Sequence, residues 1–121
     1  MCKVLGLGLD LCEISRMEAL LADDRFLNRY FTQVEIDYIH SRGAFAAHSM
    51  AGIWAAKEAV LKAAGTGIAC SLKDVEIDHN ELGAPVCRLL GAARETVTGE
   101  CQVSITHEGG MAAAVCLRVG I

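Results

Sequence analysis

The pattern of apolar and polar residues predicts a different element at each stage of the chain. Residues 3–11, KVLGLGLDL, form a short apolar run bounded by polar residues, which favours a buried strand with Asp10 near its end. Residues 14–21 place apolar side chains at helical spacing, which predicts an amphipathic helix. The acidic pair Asp23 and Asp24 is expected to end that helix.

Two more helices are predicted before the chain reaches its midpoint. Thr32 and Glu35 have the spacing of a capping box, in which each side chain satisfies a free backbone amide of the other residue. A helix is therefore expected over 33–41. Residues 44–64 are rich in alanine and contain no proline, which predicts the longest helix of the chain, closed by Gly65.

The second half of the chain has the pattern of two β-hairpins. Residues 75–78 alternate apolar and acidic side chains, 80–85 are rich in turn formers, and 86–90 are again apolar. Residues 101–106 and 112–119 are two further strand-like segments, separated by a Glu-Gly-Gly turn. No repeat, low-complexity tract or flexible linker interrupts this order. The interpretation is one α+β domain in which the long central helix packs on an antiparallel sheet.

Composition narrows the class of protein. The 121 residues are 53% hydrophobic, enough for the core of a single domain over 1–121. A formal charge of −4 argues against a nucleic-acid partner. The six cysteines form no Cys-x-x-Cys pair, which favours reduced thiols over disulfides. The first apolar run is too short for a signal core or a membrane span, so we expect a soluble, cytoplasmic protein without a membrane partner.

The charged residues of the long helix are the first candidates for chemistry. Glu58 and Lys62 are four residues apart and share one helix face, a spacing that by itself also fits an ordinary surface ion pair. Lys57 and Glu58 interrupt an otherwise apolar helix, and Gly65-Thr66-Gly67 follows it. Such a glycine turn exposes backbone amides that can approach a phosphate. The order is helix then glycine turn, so this is not a Walker-type loop.

Asp10 and Glu58 are oxygen ligands from two separate elements, a donor set that suits Mg²⁺. A strand-end aspartate can equally be a turn or capping residue. Strand alternation over 103–107 places Ser104 and Thr106 on one face and His107 at the strand end. That histidine is a candidate base or phosphate ligand, although a polar residue near solvent is the simpler interpretation.

Three arginines give the first quarter of the chain a local positive charge against its acidic total: Arg16, Arg25 and Arg29. They are candidate contacts for an acidic partner protein. The alternative is that they form an ordinary solvent-exposed surface.

Several motifs in this order resemble one protein family. They are Gly6-Leu7-Gly8-Leu9-Asp10, then Ala55-Ala56-Lys57-Glu58-Ala59 with Lys62, then Gly65-Thr66-Gly67, and finally Val103-Ser104-Ile105-Thr106-His107. The chain resembles, from end to end, the small stand-alone holo-acyl-carrier-protein synthases, the first group of phosphopantetheinyl transferases.

The resemblance implies a reaction and a set of partners. The enzyme would transfer the 4′-phosphopantetheine of coenzyme A to a serine of apo acyl carrier protein, with Mg²⁺, releasing adenosine 3′,5′-bisphosphate in fatty acid or polyketide synthesis. It also implies the family's 4′-phosphopantetheinyl transferase fold and a homotrimer with active sites between subunits.

The resemblance assigns roles to the motif residues. Asp10, Glu58 and Lys62 would be catalytic, and the first two would hold the metal. The coenzyme A site would be lined by residues from four segments: Lys57, Lys62, Gly65, Thr66, Gly67, Pro85, Ser104, Thr106 and His107. The carrier protein would meet Arg16, Arg25 and Arg29.

The chain departs from the usual family pattern in three segments. Ile53-Trp54 stands where Arg-Phe is common, Ala84 replaces the lysine of a Gly-Lys-Pro turn, and Glu108 follows His107 in place of a small polar residue. Two alternatives therefore stay open. One is a binding module that keeps the fold without turnover, and the other is an unrelated enzyme that uses Cys12 or Cys70 as a nucleophile with His107.

Overall fold

The computed structural model describes residues 1–65 and 70–120 and shows an α+β architecture. Its strands are β1 (Lys3–Glu13), β2 (Val75–His79), β3 (Pro85–Leu89), β4 (Glu100–Glu108) and β5 (Met111–Gly120). Its helices are α1 (Ile14–Leu20), α2 (Asp24–Tyr30), α3 (Gln33–Ser41), α4 (Ala46–Ala63) and α5 (Gly91–Thr96). No helix in these described ranges is long and apolar enough to cross a membrane.

The strands form two antiparallel sheets. One has the order β1-β5-β4, and the other is the hairpin of β2 and β3. In the larger sheet Asp10 stands opposite Ala114, which stands opposite Ile105. Directly opposite residues share a face, so these three side chains point to the same side. The neighbouring row, Leu9, Val115 and Ser104, points to the other side.

Helix α4 lies across one face of the larger sheet. Its N-terminal part lies over β4, where Gly52 packs against the His107 ring. Its C-terminal part lies over β1, where a Cβ on Gly6 or Gly8 would overlap carbonyl oxygens of the helix. The two glycines therefore permit a closer approach of strand and helix than any side chain would. The helix crosses the sheet diagonally, from the β4 edge to the β1 edge.

The capping box is present as predicted and begins α3. The Thr32 backbone amide donates to Glu35 Oε1 at 2.8 Å, and the Glu35 amide donates to Thr32 Oγ1 at 3.4 Å. The helix then runs over Gln33–Ser41, the predicted range. Gly65 follows the end of α4 with φ +94°, a conformation that favours glycine. These local signals were sufficient to predict the start of α3 and the end of α4, because each depends only on residues close in sequence.

Two short helices were not predicted. Asp23 was expected to end a helix, but its side chain accepts a hydrogen bond from the Phe26 amide at 3.0 Å and begins α2. An acidic residue at this point serves as an N-cap, which is a common role of aspartate. Helix α5 has only six residues and begins at Gly91, so its sequence carries little helical signal.

Candidate active site

Asp10 and Lys62 meet where α4 crosses β1. Lys62 Nζ donates to Asp10 Oδ1 at 3.1 Å and to the Leu9 carbonyl oxygen at 3.0 Å. The Lys62 side chain is about half exposed and that of Asp10 is 18% exposed. The lysine therefore lies over an acidic group at the surface, where a ligand can reach it. The resemblance predicted both residues for one site, and the structure brings them together.

Glu58 belongs to the same group of charges. Burial and the negative charge of Asp10 raise the pKa of the Glu58 carboxyl, and the positive charges of Lys62 and Arg16 oppose this shift. The two carboxylates are thus close enough to repel each other. Such a pair is a suitable place for a cation, since a positive ion relieves both the repulsion and the desolvation.

Lys57 does not reach this site. Its side chain is fully buried, and its ammonium donates to Glu35 Oε1 and to the Val75 carbonyl oxygen, both at 2.6 Å. Adjacent residues on a helix point about 100° apart, so Glu58 can face the cleft while Lys57 faces the core. The resemblance placed Lys57 among the coenzyme A contacts, but in this structure its ammonium is held in the core.

His107 lies at the opposite edge of the sheet from Asp10. Its Nε2 donates to the His48 carbonyl oxygen at 2.8 Å, which leaves Nδ1 available as an acceptor in the neutral ring. A cavity of about 200 Å³ opens beside the histidine, and Gly83 and Pro85 also line it. The structure thus groups His107 with Pro85, as predicted, but in a place separate from Asp10.

The same cavity contains residues that the sequence did not identify. Tyr38 from α3 stacks on His79 from β2, with ring centroids 3.9 Å apart and planes 6° from parallel. The Arg42 guanidinium lies 5.4 Å from the centre of the Tyr38 ring. Both aromatic rings and the arginine line the cavity. No sequence signal indicates this grouping, because it depends on how the hairpin of β2 and β3 docks beside α3.

Ser104 and Thr106 point away from α4. Both are exposed on the outer face of the sheet, separated by β5 from a row of leucines on β1. Three of these leucines are largely exposed: Leu7 at 66%, Leu9 at 62% and Leu11 at 63%. Within one chain, the two hydroxyls therefore lie on the opposite side of the sheet from Asp10 and Lys62.

The glycine turn is only partly described. Gly65 is exposed at the end of α4, and its amide donates to the Lys62 carbonyl oxygen at 3.2 Å. Thr66 and Gly67, the other predicted residues of the turn, lie outside the described residues. Their contribution to a phosphate site stays a prediction.

The three predicted arginines lie on neighbouring helices at the surface. Arg16 projects from α1 over the ring of Trp54, 5.2 Å from its centroid, and Trp54 packs against Phe26 at 5.5 Å. Arg25 and Arg29 project from α2. Arg16 is near enough to Glu58 to influence its charge. The basic face therefore adjoins the carboxylates, while Trp54 itself is a core residue.

The described residues do not favour Cys12 as a nucleophile. Burial raises the pKa of the Cys12 thiol, so the protonated, unreactive form is stabilised. Within 1–65 and 70–120, no group of three or more histidine, cysteine or acidic side chains is arranged to hold a metal. A cation in this part of the chain would therefore depend on two carboxylates with water or ligand oxygens.

Comparisons with known proteins identify the family of the chain. Residues 6–116 match the model of the 4′-phosphopantetheinyl transferase superfamily. A holo-[acyl-carrier-protein] synthase of Treponema denticola is 41% identical over 122 residues, covering 97% of this chain and 99% of the relative. One from Caldicellulosiruptor saccharolyticus is 36% identical, covering 94% and 95%.

Solved structures give the same result. A holo-(acyl-carrier-protein) synthase from Bacillus anthracis in complex with CoA (3′,5′-ADP) superposes with a TM-score of 0.81 at 30% identity, covering 98% of both chains. The Helicobacter pylori enzyme in complex with coenzyme A gives a TM-score of 0.79 at 29% identity, covering 93% of this chain and 98% of the other. The fold predicted from the sequence is confirmed. The chain therefore belongs to the 4′-phosphopantetheinyl transferase superfamily, within its holo-acyl-carrier-protein synthases.

Proposed function

We propose that this chain transfers the 4′-phosphopantetheine of coenzyme A to a serine hydroxyl of apo acyl carrier protein in a Mg²⁺-dependent reaction. The observation that carries the proposal is the group formed by Asp10, Glu58 and Lys62. Two mutually repelling carboxylates and an exposed ammonium meet at one point of the surface. Fatty acid or polyketide synthesis as the context, and a cytoplasmic location, belong to the same proposal.

The donor set of this group fits magnesium. Asp10 and Glu58 offer oxygens only, and Mg²⁺ commonly takes one or two protein carboxylates and completes its shell with water and phosphate oxygens. Burial, and after it the charge of Asp10, raises the pKa of Glu58, while Lys62 and Arg16 oppose the shift. Bound there, the ion would neutralise charge on the pyrophosphate of coenzyme A.

The remaining roles follow from the positions of the charged groups. Lys62 would leave Asp10 and pair with the phosphate that bears pantetheine, offsetting the charge that develops there. The carrier serine oxygen forms a bond to this phosphorus, the bond to the second phosphate breaks, and adenosine 3′,5′-bisphosphate leaves. The serine proton needs an acceptor, and Glu58 is within this group of charges.

The predicted site residues are divided between two edges of the sheet, which supports an assembly of several chains. Asp10 is on β1 and His107 is on β4, and two strand spacings of about 4.8 Å separate these edges. Ser104 and Thr106 lie on the outer face, which also carries the exposed leucines of β1. If the β1 edge of one copy met the β4 edge of the next, the two halves would form one site.

A contact between different edges is head-to-tail, and such contacts form a ring when the rotation from one copy to the next closes. The homotrimer implied by the resemblance is a ring of this kind. It would also cover the leucine row, which a monomer leaves in water at a cost of about 25 cal/mol for each Å² of apolar surface.

The cavity beside His107 is the proposed place for the nucleotide end of coenzyme A. The family pattern has cations at positions 53 and 84, where this chain has Ile53 and Ala84. Arg42 lines the same cavity as Gly83 and Pro85 and is exposed at the surface. We infer that Arg42 contacts a phosphate of coenzyme A. It would take the place of the cations that this chain lacks at positions 53 and 84.

The test is a transfer assay with apo acyl carrier protein, coenzyme A and Mg²⁺, read by intact mass. The expected result is a carrier that gains one phosphopantetheine in the presence of Mg²⁺ and none when the metal is chelated. Glu58→Gln should abolish the gain, while Glu95→Gln, an exposed substitution on α5, should not change it. A folded protein that binds coenzyme A but modifies no apo carrier would establish the binding module instead.

A further inference from the structure

Trp54 on α4 lies in a cluster of aromatic rings that also supports a cation. Its ring centroid is 5.5 Å from that of Phe26, 5.5 Å from that of Tyr30 and 5.9 Å from that of Phe31. The guanidinium of Arg16, from α1, lies over the same indole, 5.2 Å from its centroid. Trp54 is only 7% exposed. The three aromatic neighbours therefore hold a rigid ring beneath an exposed cation.

The charge of Arg16 is available to a partner. Its side chain is exposed, and in residues 1–65 and 70–120 no acidic side chain forms a salt bridge with it. The same is true of Arg25 and Arg29, the other two residues of the basic face. The whole chain has a formal charge of −4. A group of unpaired arginines on an acidic protein favours contact with an acidic surface of another molecule.

Arg16 lies at the edge of the proposed transfer site. Trp54, Glu58 and Lys62 follow one another at four-residue spacing on α4, so their side chains share one face of the helix. The Arg16 guanidinium covers the first of these residues, and its positive charge also acts on the carboxyl of the second. A partner bound by Arg16 would therefore be held beside the group of Asp10, Glu58 and Lys62.

An exposed arginine ordinarily loses much conformational freedom when it binds. Fixing its long side chain in one geometry costs entropy, and that cost weakens the complex. A ring beneath the planar guanidinium reduces this loss, because stacking and the cation–π attraction favour one orientation before the partner arrives. Tryptophan is the most effective ring for this contact. Trp54 therefore has the properties of a support that prearranges Arg16.

We propose that Trp54 is a positioning residue that holds the Arg16 guanidinium in the orientation that binds an acidic surface of the apo carrier protein. This inference rests on the proposed function, which supplies the carrier as the partner. Trp54 acts through Arg16, so its effect should appear in the affinity for the carrier. The affinity for coenzyme A should not change, because the proposed nucleotide cavity contacts α4 through Ser49 and Gly52, on another face of the helix.

The first test is a double-mutant cycle between the two residues. Isothermal titration calorimetry with apo acyl carrier protein measures Kd without turnover. We expect Trp54→Leu to raise this Kd about two- to fivefold, the range of a cation–π contact at an exposed site. In the Arg16→Met background the same substitution should leave Kd nearly unchanged, since no guanidinium remains to be oriented. The Kd for coenzyme A should be that of the original protein throughout.

Trp54→Phe keeps an aromatic ring in the cluster and provides the same cycle if circular dichroism shows that Trp54→Leu is not folded. Its rise in Kd for the carrier should be smaller, because phenylalanine attracts a cation less strongly than tryptophan. This rise should also disappear in the Arg16→Met background.

The second test uses the fluorescence of Trp54, which is the single tryptophan of the chain. Arg16→Met removes the cation from the indole and should change the wavelength or the intensity of the emission. The matched control is Arg25→Met on the adjacent helix α2, which should leave the emission close to that of the original protein. This measurement needs neither the carrier nor coenzyme A.

Three results would overturn the proposal. One is an equal loss of carrier affinity on substitution of Trp54 in both Arg16 backgrounds, and another is identical emission in the original protein and Arg16→Met. The third is a parallel loss of affinity for the carrier and for coenzyme A, which would indicate a general distortion of the site. A carrier that binds with the expected coupling but gains no phosphopantetheine would contradict the proposed transfer activity alone.

Discussion

The Lys57 ammonium lies 2.6 Å from Glu35 Oε1, and both side chains are fully shielded from solvent. The second carboxylate oxygen of Glu35 accepts a hydrogen bond from the Ile77 amide at 2.7 Å, and Lys57 also donates to Val75. The pair thus joins α3, α4 and β2. Burial lowers the pKa of Lys57 and raises that of Glu35, so each residue keeps its charge only through its partner.

Removal of one partner from this pair should destabilise the fold strongly. We expect Lys57→Met to lower the free energy of unfolding by about 3–5 kcal/mol, because it leaves the Glu35 carboxylate buried without compensation. The double variant Lys57→Met/Glu35→Leu should recover a large part of this loss. Urea denaturation of the two single variants and the double variant measures the coupling. Additive losses would show that the pair does not act as a unit.

A charge on the outer face of the sheet should prevent assembly. Leu9 is 62% exposed in the single chain, so Leu9→Glu should leave the monomer folded while it disfavours contact with a second copy. Light scattering should show a shift to the monomer, and transfer activity should fall with it. Leu82→Glu is the control, since Leu82 is 95% exposed in the loop between β2 and β3. An unchanged oligomer in Leu9→Glu would place the interface elsewhere.

Loss of the Arg42 guanidinium should affect coenzyme A binding more than turnover. A hydrogen bond to a charged group contributes about 1.5–3 kcal/mol, so Arg42→Ala should raise KM for coenzyme A about tenfold or more. The value of kcat should change little, because Arg42 lies in the cavity beside His107 and not with Asp10 and Lys62. Arg94→Ala on α5 is the control. A fall in kcat with constant KM would contradict this role.

Acid should destabilise the protein in part through His79. Burial lowers the pKa of His79 from 6.5, the charge of Arg42 adds to this, and Asp78 opposes it. The unfolded chain therefore binds a proton at His79 more readily than the folded chain does. The stabilisation is complete above pH 6.5 and is lost as the pH falls from there toward the lower folded-state value.

The His79→Phe variant keeps an aromatic ring against Tyr38 and removes the titration. Between about pH 7.5 and pH 5.5, the urea midpoint of the original protein should fall more than that of the variant. Equal slopes in the two proteins would show that His79 is not the group responsible.

Helices and strands that are specified by nearby residues were predicted from the sequence. Contacts that depend on how these elements pack together were not. The capping box of Thr32 and Glu35, the alanine-rich helix and both hairpins follow from neighbouring residues. Helix α4 is apolar on most of its surface, so periodicity cannot tell which of its charged residues faces the core. The pattern therefore did not separate Glu58 from Lys57, and the resemblance assigned both residues to the site.

The candidate site was predicted as a set of residues but not as an arrangement. Asp10, Glu58 and Lys62 meet in one chain, whereas His107 lies at the far edge of the sheet. Tyr38 and His79 are distant in sequence and become neighbours only when α3 and the β2–β3 hairpin pack side by side. A linear sequence carries no signal for such a contact, because neither residue shows a pattern of its own.

At Gly6 and Gly8, the backbone of β1 packs directly against the backbone of α4. Their missing side chains determine how far the strand bearing Asp10 stands from the helix bearing Glu58 and Lys62. A methyl group at Gly8 would move the helix outward and separate the acidic pair, although every charged residue would remain. In this chain, two glycines that take no part in the reaction therefore determine the distance between the carboxylates of Asp10 and Glu58.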